Sequence, residues 1–276
     1  MTGQFAEAGD GATALALPTV DDREAAYWDA QAARVSDDDL RRIPNTGDAL
    51  AVRALALLGD LHGRRVLDVG CGTGEWAVVL ASRGAEVWAV DISPGSVAVA
   101  KRRAALHGLS ERVHAAVMSA MALEFPDGFF DAVHGQDIIH HMTDAGGFGR
   151  EIARVLAPDG SAVFLENCAN NRLLMFARDN VCGRWGIPKW SSDDEYPLTR
   201  GRLREFGRAF STTEVEYPRF LCFFYIDAKL FRYRRKIVSR VCSGLDRLVF
   251  NVPALRQYSY RQVVRCRRGP ATQPAS

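Results

Sequence analysis

The sequence predicts an α/β chain built on a doubly wound, mostly parallel sheet. Two observations carry this expectation. Strand-like and helix-like segments alternate from Thr46 onward, and the first strand-like run, Val66-Leu67, passes directly into the glycine-rich turn Asp68-Val69-Gly70-Cys71-Gly72-Thr73-Gly74. Strands separated by helices fit a parallel sheet with helices on both faces. A glycine-rich turn between a buried strand and a helix is the layout of a nucleotide-cofactor site in such a sheet.

The elements follow in order. Residues 1–20 are small, Gly/Ala-rich and unpatterned, and are expected to be disordered. Asp21 to Val35 reads as a helix carrying the pair Tyr27-Trp28, and a second helix runs from Thr46 to about Leu58. Strand 64–69, helix 75–83, strand 86–91, helix 94–107, strand 112–117, strand 129–135, helix 145–156 and strand 161–166 complete the regular alternation. Asn167 to Leu198 then interrupts it with a helix over Arg172–Val181 and the polar stretch Ser191-Ser192-Asp193-Asp194-Glu195-Tyr196-Pro197. A helix over 200–209, a strand over 211–217 and a last strand from Tyr260 to Cys266 follow, making seven strands in all. Two insertions, about 168–198 and 220–256, are expected to cap the sheet, the second being aromatic and basic. Residues 270–276 resemble a frayed end, which leaves 21–269 as one domain.

With 276 residues and 47% hydrophobic content the chain can bury a full core. No basic start followed by a long apolar run opens it, and the apolar stretch Phe220 to Ile226 is far too short to cross a bilayer, so a cytoplasmic location is expected. Six cysteines show neither C-x-x-C pairing nor metal-ligand spacing, and read as reduced structural thiols with no metal site. The net charge of +2 hides an asymmetry: from Ala228 onward twelve basic residues face Asp246 alone, a segment of +11 against −9 for the remainder. That polarity suits an anionic partner near the C-terminal segment.

The glycine spacing bears on the cofactor. A dinucleotide turn needs G-x-G-x-x-G, whereas Glu75 or Ala77 stands where the third glycine belongs. Gly70-x-Gly72-x-Gly74 after an acid is a different device: Asp68 can accept a hydrogen bond from an ammonium group, and residues lacking Cβ let backbone approach a ligand closely. An amino-acid-bearing cofactor suits it better than a diphosphate.

The run Val66-Leu67-Asp68-Val69-Gly70-Cys71-Gly72-Thr73-Gly74-Glu75-Trp76 resembles the first motif of class I S-adenosylmethionine (SAM)-dependent methyltransferases, of the type 11, UbiE-like small-molecule kind. Val87 to Asp91, Phe130 to Gln136 and Val155 to Glu166 resemble the family's later segments in order and spacing. The resemblance implies a Rossmann-like seven-stranded sheet whose last strand is antiparallel. It implies SAM as cofactor, held by Asp68, Gly70, Cys71, Gly72, Gly74, Asp91, Ile92, Ser119, Ala120 and Gln136, with Asp91 on the ribose hydroxyls. It also implies an N-terminal helix closing over the cofactor, although Tyr27-Trp28 serves equally as an aromatic anchor. Ser119 stands where relatives often carry an acid for the adenine amine; a hydroxyl can accept that bond.

Methyl transfer from a sulfonium needs an in-line approach and an unprotonated nucleophile, so a hydroxyl acceptor calls for a general base. His141 and His140, at the end of the fourth strand, are the candidates, with His141 favoured and Asp137 a weaker alternative. The bland reading makes both histidines structural, one packed under the cofactor and one capping the next helix. Gly135-Gln136-Asp137-Ile138 is nothing like the [DN]-P-P-[YF] element of base-modifying relatives, so a nucleic-acid substrate is disfavoured. The expected function is therefore O-methylation of a small, hydrophobic acceptor, a secondary metabolite or lipid-like molecule. A SAM-binding protein of the same fold without methyl transfer is the alternative.

Lys229 to Val249 has helical periodicity. At about 100° per residue Leu230, Phe231, Ile237, Val238, Val241, Leu245, Leu248 and Val249 share one side, with Arg232, Arg235, Lys236, Arg240 and Arg247 largely opposite and Arg234 out of pattern. Such a basic amphipathic helix suits peripheral contact with an anionic membrane. Packing of its apolar stripe against the core suits it at least as well. No motif encodes the acceptor scaffold or the oligomeric state.

Overall fold

A computed structural model describes residues 19–43, 46–184, 196–231 and 233–269. The disorder expected for 1–20 and the fraying expected for 270–276 therefore fall, but for Thr19 and Val20, outside the described residues, as does the polar stretch from Ser191 through Glu195.

Seven strands form one sheet: β1 (Arg65–Val69), β2 (Glu86–Asp91), β3 (Val113–Val117), β4 (Phe130–Gln136), β5 (Leu156–Asn167), β6 (Thr212–Glu216) and β7 (Arg261–Arg267). Their order is β3-β2-β1-β4-β5-β7-β6, with β1 to β5 parallel and β7 antiparallel to both neighbours. Ten α-helices accompany them among the described residues: α1 (Val20–Ala32), α2 (Asp37–Arg41), α3 (Ala49–Leu58), α4 (Glu75–Ala81), α5 (Pro94–Leu106), α6 (Ala145–Val155), α7 (Arg172–Asn180), α8 (Arg200–Gly207), α9 (Phe223–Ile226) and α10 (Lys236–Phe250). The seven-stranded doubly wound architecture matches the sequence expectation, antiparallel last strand included.

Side chains alternate across the strands, and both faces are covered. Val66, Ala132 and Val163 pack with α3, α4 and α5 residues such as Leu57, Leu80 and Ala104. Leu67, Val133 and Phe164 turn the other way, onto Phe148 and Ile152 of α6 and Phe206 of α8. Parallel strands so buried leave the crevice beyond their carboxyl ends as the place for a ligand.

Two elements depart from expectation. β5 begins at Leu156, five residues early, with a register shift opposite Phe130–Ala132 and Asp159 at φ 61°. The helix expected over Lys229–Val249 is broken. A π-helical turn covers Asp227–Phe231, Tyr233 takes φ 56°, and α10 starts only at Lys236. Arg232, assigned to the basic side, lies outside the described residues.

α2 is absent from the sequence expectation although Ser36 and Asp39 form a capping box at its start, and a buried arginine holds it. Arg103 of α5 donates to the carbonyls of Asp39 within α2 (3.1 Å) and Arg42 just past it (3.2 Å), to Thr73 in the glycine turn (2.8 Å), and to the Glu75 carboxylate (3.0 Å). Arg103→Met keeps the apolar stem but leaves those acceptors unpaired. We expect a loss of about 3 kcal/mol, seen as a lower urea midpoint at unchanged slope.

Candidate functional site

The site is built where β1, β2, β3 and β4 end. β1 delivers Asp68, which is buried; its Oδ1 lies 2.8 Å from His134 Nδ1 on β4, while Oδ2 receives no hydrogen bond from the protein. Trp76 of α4 lies against the His134 ring at 4.2 Å between centroids and donates to Gln136 Oε1 at 2.7 Å. The glycine turn is pinned to β2 by Cys71 N to Val90 O (3.0 Å) and by Gly72 N to Asp91 Oδ2 (2.8 Å). Gly72 (φ 50°) has open space where a Cβ would stand, whereas at Gly74 (φ 81°) a Cβ would meet Ala100 at 2.8 Å. One glycine exposes backbone to the crevice; the other lets α4 pack on α5.

Asp91 closes β2. Its Oδ1 accepts from Ser93 N at 2.9 Å, and burial raises its pKa even though the Ser93 and Gly72 amides work the other way. Burial likewise holds the Cys71 thiol far up its range, so it is an inert packing group. All six cysteines are free.

A cavity of about 270 Å³ opens between these groups. Of the residues marked by the sequence, Asp68, Gly70, Cys71, Gly72, Asp91, Ile92, Ser119, Ala120, Gln136 and His141 line it, while Gly74 and His140 do not. α1 adds a further wall through Asp21, Glu24 and Trp28, and Met118, Met121, Ile138 and Met142 add apolar lining. Asp29 fixes that helix by accepting from Ser93 Oγ (2.6 Å) and Gly95 N (2.7 Å) at the start of α5. No sequence signal distinguished Asp29 from the other acids of α1.

The turn after β4 is organised by Glu166, a buried β5 residue. Its Oε1 accepts from Ile138 N (2.9 Å) and Ile139 N (2.7 Å), and its Oε2 lies 2.7 Å from His140 Nδ1. His140 is thus built into the turn, whereas His141 faces the cavity with Nδ1 3.5 Å from Glu24 Oε2. The next helix is capped by Asp144 and by neither histidine. Asp137, at φ 52°, pairs with Arg261 of β7, which also donates to Asn167 Oδ1 at 2.7 Å. Burial works against the Arg261 charge, but Asp137 and its neighbours outweigh it and hold the pKa above the ordinary value. Ligand atoms of Asp137, His140 and Glu166 lie within 4.8 Å of one another, and each is engaged by the protein contacts just described.

Asp137 also borders a second cavity, of about 400 Å³, which shares Trp76, Gln136 and Asp137 with the first. Leu50 and Ala51 of α3, Leu221, and Phe224 and Tyr225 of α9 give it apolar walls, with Arg219 and Arg261 as its cations.

Comparison with known proteins decides the family. Residues 66–160 match the model described as a methyltransferase domain. The ubiquinone biosynthesis O-methyltransferase of Alkalilimnicola ehrlichii is 33% identical over 173 residues, covering 61% of this chain and 68% of that protein. The chain belongs to the SAM-dependent methyltransferases. The probable chloroplastic tocopherol O-methyltransferase of Oryza sativa subsp. japonica is 31% identical over 183 residues, covering 62% of this chain and 50% of its own length. The chain spans about half the length of most of the curated relatives it matches. In fold it is similar to the [4+2]-cyclase SpnF, with a TM-score of 0.61 and 21% identity over 92% of this chain and 98% of that one.

In this methyltransferase Gly74 sets the packing of the cofactor-type turn. Gly74→Ala forces an L-residue to a left-handed conformation and drives its Cβ into Ala100. The expected cost is about 2–4 kcal/mol, measured by denaturant unfolding. Adding Ala100→Gly recovers only the part due to the Cβ contact, because the backbone strain and the 2.9 Å approach to the Ala100 Cα remain.

Proposed function

We propose that this chain transfers a methyl group from SAM to a hydroxyl of a small, hydrophobic acceptor. One observation carries the proposal: two carboxylates, buried Asp68 and half-buried Asp91, border one cavity at the ends of adjacent strands, each with acceptor capacity left over. Asp68 Oδ2 has no protein donor and suits the ammonium of the cofactor's methionyl part. Asp91 uses two of about four lone-pair positions on Gly72 and Ser93, leaving room for two ribose hydroxyls. Gly70, Cys71, Gly72, Ile92, Ser119, Ala120 and Gln136 complete the cofactor's surroundings in this proposal, and Gly74 acts through packing. SAM supplies the activated methyl; the protein's task is to orient the acceptor and take its proton.

His141 is the proposed base. Glu24 orients its ring at the cavity wall, while His140, held by Glu166, positions the turn. The second cavity, whose apolar walls are interrupted by Asp48, Asp137, Arg219 and Arg261 and which shares Gln136 and Asp137 with the first, suits the acceptor. Two relatives are named for O-methylation in ubiquinone biosynthesis and of tocopherol, which supports a hydrophobic, hydroxyl-bearing acceptor. Such molecules partition into membranes, and peripheral contact with an anionic membrane belongs to the same proposal. The likeness to a cyclase favours a second reading, in which the fold binds SAM without transferring methyl.

Incubation with methyl-labelled SAM and cell extract separates the two: label in organic-soluble small molecules is expected, and its absence despite SAM binding favours the second reading. His141→Ala should lower turnover about 100-fold with SAM affinity nearly intact. Asp91→Ala should weaken SAM binding roughly 30- to 1000-fold, read by calorimetry. The same affinity should fall as the pH falls through the Asp91 pKa, which lies above its ordinary 3.8, because the protonated group loses acceptor capacity. The ligand-free protein moves oppositely: its folded state binds that proton more tightly than the unfolded chain, so acidification through the same range adds stability. Asp91→Asn should flatten both profiles.

A further inference from the structure

We propose that α10 seats this methyltransferase on an anionic lipid bilayer. The geometry of the helix carries the inference. Only Cys242 and Asp246 of α10 are buried, so these two mark the side facing the protein. Ile237, Val241, Leu245 and Leu248 recur at helical spacing on a different side, and they are 76%, 56%, 38% and 65% exposed. Lys236, Arg240 and Arg247, all exposed, form a third stripe roughly a third of a turn beyond the apolar one. Val238 and Val249, expected on the same apolar side, are half-buried beside Cys242 and Asp246, so the stripe divides: its inner members meet the protein and Ile237, Val241, Leu245 and Leu248 are left outward. Val252 and Leu255, just past the helix, are exposed as well.

Charge selects the occupant. Arg234, Arg235, Lys236, Arg240 and Arg247, all exposed, stand along or just before α10, whose one acid, Asp246, is buried, so an anionic surface attracts the α10 side. A second copy docked stripe to stripe would bring two such basic segments together. An apolar stripe with cations along one side and the protein along the other, on a chain with no helix among the described residues long and apolar enough to span a membrane, fits an interfacial helix lying in the headgroup plane.

The helix is also tied to the second cavity. Asp246 accepts from Cys222 N (3.0 Å), Phe223 N (3.0 Å) and Phe224 N (2.8 Å), anchoring α9, whose Phe224 and Tyr225 form the cavity wall. Seating α10 on lipid brings that wall to the bilayer. Delivery of an acceptor by this route rests on the methyl-transfer reading; the docking does not.

Co-sedimentation of the full chain with phosphatidylcholine vesicles, and with vesicles of equal parts phosphatidylcholine and phosphatidylglycerol, at low and high salt, tests the proposal. Binding to the anionic vesicles alone, weakened by salt, is expected. Lys236→Glu with Arg240→Glu and Arg247→Glu should weaken it by roughly 100-fold or more. Val241→Glu with Leu248→Glu should also abolish it. Calorimetric binding of S-adenosylhomocysteine is the control in both variants: it should be unchanged, since no substituted residue borders the first cavity. If wild-type protein sediments with anionic vesicles but does not bind the homocysteine, docking stands and the cofactor reading falls. No vesicle binding at low salt, equal binding to neutral vesicles, or binding indifferent to Val241→Glu with Leu248→Glu would overturn the docking. So would self-association that those two substitutions disperse in a protein that ignores vesicles.

Discussion

Within the crevice, the Asp91 carboxylate takes the amide of Gly72 on one oxygen and the amide of Ser93 on the other. The rest of the site depends on this half-buried acid. One bond closes the glycine turn onto β2. The other sets the start of α5, where Ser93 in turn caps the helix through Ser96 N and holds Asp29 of α1 through its hydroxyl. A single carboxylate thereby fixes three walls of the cavity: the turn after β1, the first turn of α5 and the covering helix. Partial burial works against its charge and raises its pKa, and the backbone amides around it only partly offset that. A ligand bringing further donors would be bound with less reorganisation than an open, hydrated carboxylate would need.

The same logic governs the end of β4. Asp68 is matched with His134, Glu166 with His140 and two amides, and Asp137 with Arg261. Each pair lies largely out of water, where removing one partner costs more than the pair contributes, because a lone charge is left behind. The three pairs are not equivalent. Glu166 has both oxygens in use and so serves the backbone of the turn; Asp68 keeps one oxygen without a donor, on the border of the cavity.

Most of the fold was legible because it rests on local signals: hydrophobic alternation marks β1 to β4 within a residue or two, and the glycine turn marks the site. What stayed hidden depends on distant partners. Arg103 reads from its helix as an ordinary solvated arginine, yet it is buried and bonded to residues about 30 and 60 positions away. Glu166 reads as the end of a strand, and its partners are 26 to 28 residues earlier. Arg261 meets Asp137 across more than a hundred residues. The break before α10 carries neither proline nor glycine, so periodicity alone runs through it; the left-handed Tyr233 is a backbone choice that the residue itself does not announce. The aromatic pair Tyr27-Trp28 divides: Trp28 lines the cavity whereas Tyr27 is exposed, and α1 is fixed to the start of α5 by Asp29 rather than by the pair.

Topology explains why the C-terminal insertion meets the site at all. β7 is antiparallel, so its first residue, Arg261, pairs in register with Asn167, the last residue of β5. β6 ends at Glu216 beside Val263 of the same strand. The chain between β6 and β7 therefore leaves and re-enters the sheet at the carboxyl edge, the edge that carries Asp68, Asp91 and Asp137. An all-parallel last strand would have sent that connection to the opposite edge. Inserting β7 backwards between β5 and β6 is what allows one excursion to supply Leu221, Phe224 and Tyr225 to the second cavity, and then α10 behind them. Asp246 joins the two layers: with its three bonds to the start of α9, displacement of α10 bears directly on the cavity wall. The outer surface and the inner pocket are thus one mechanical unit hung from a single strand reversal.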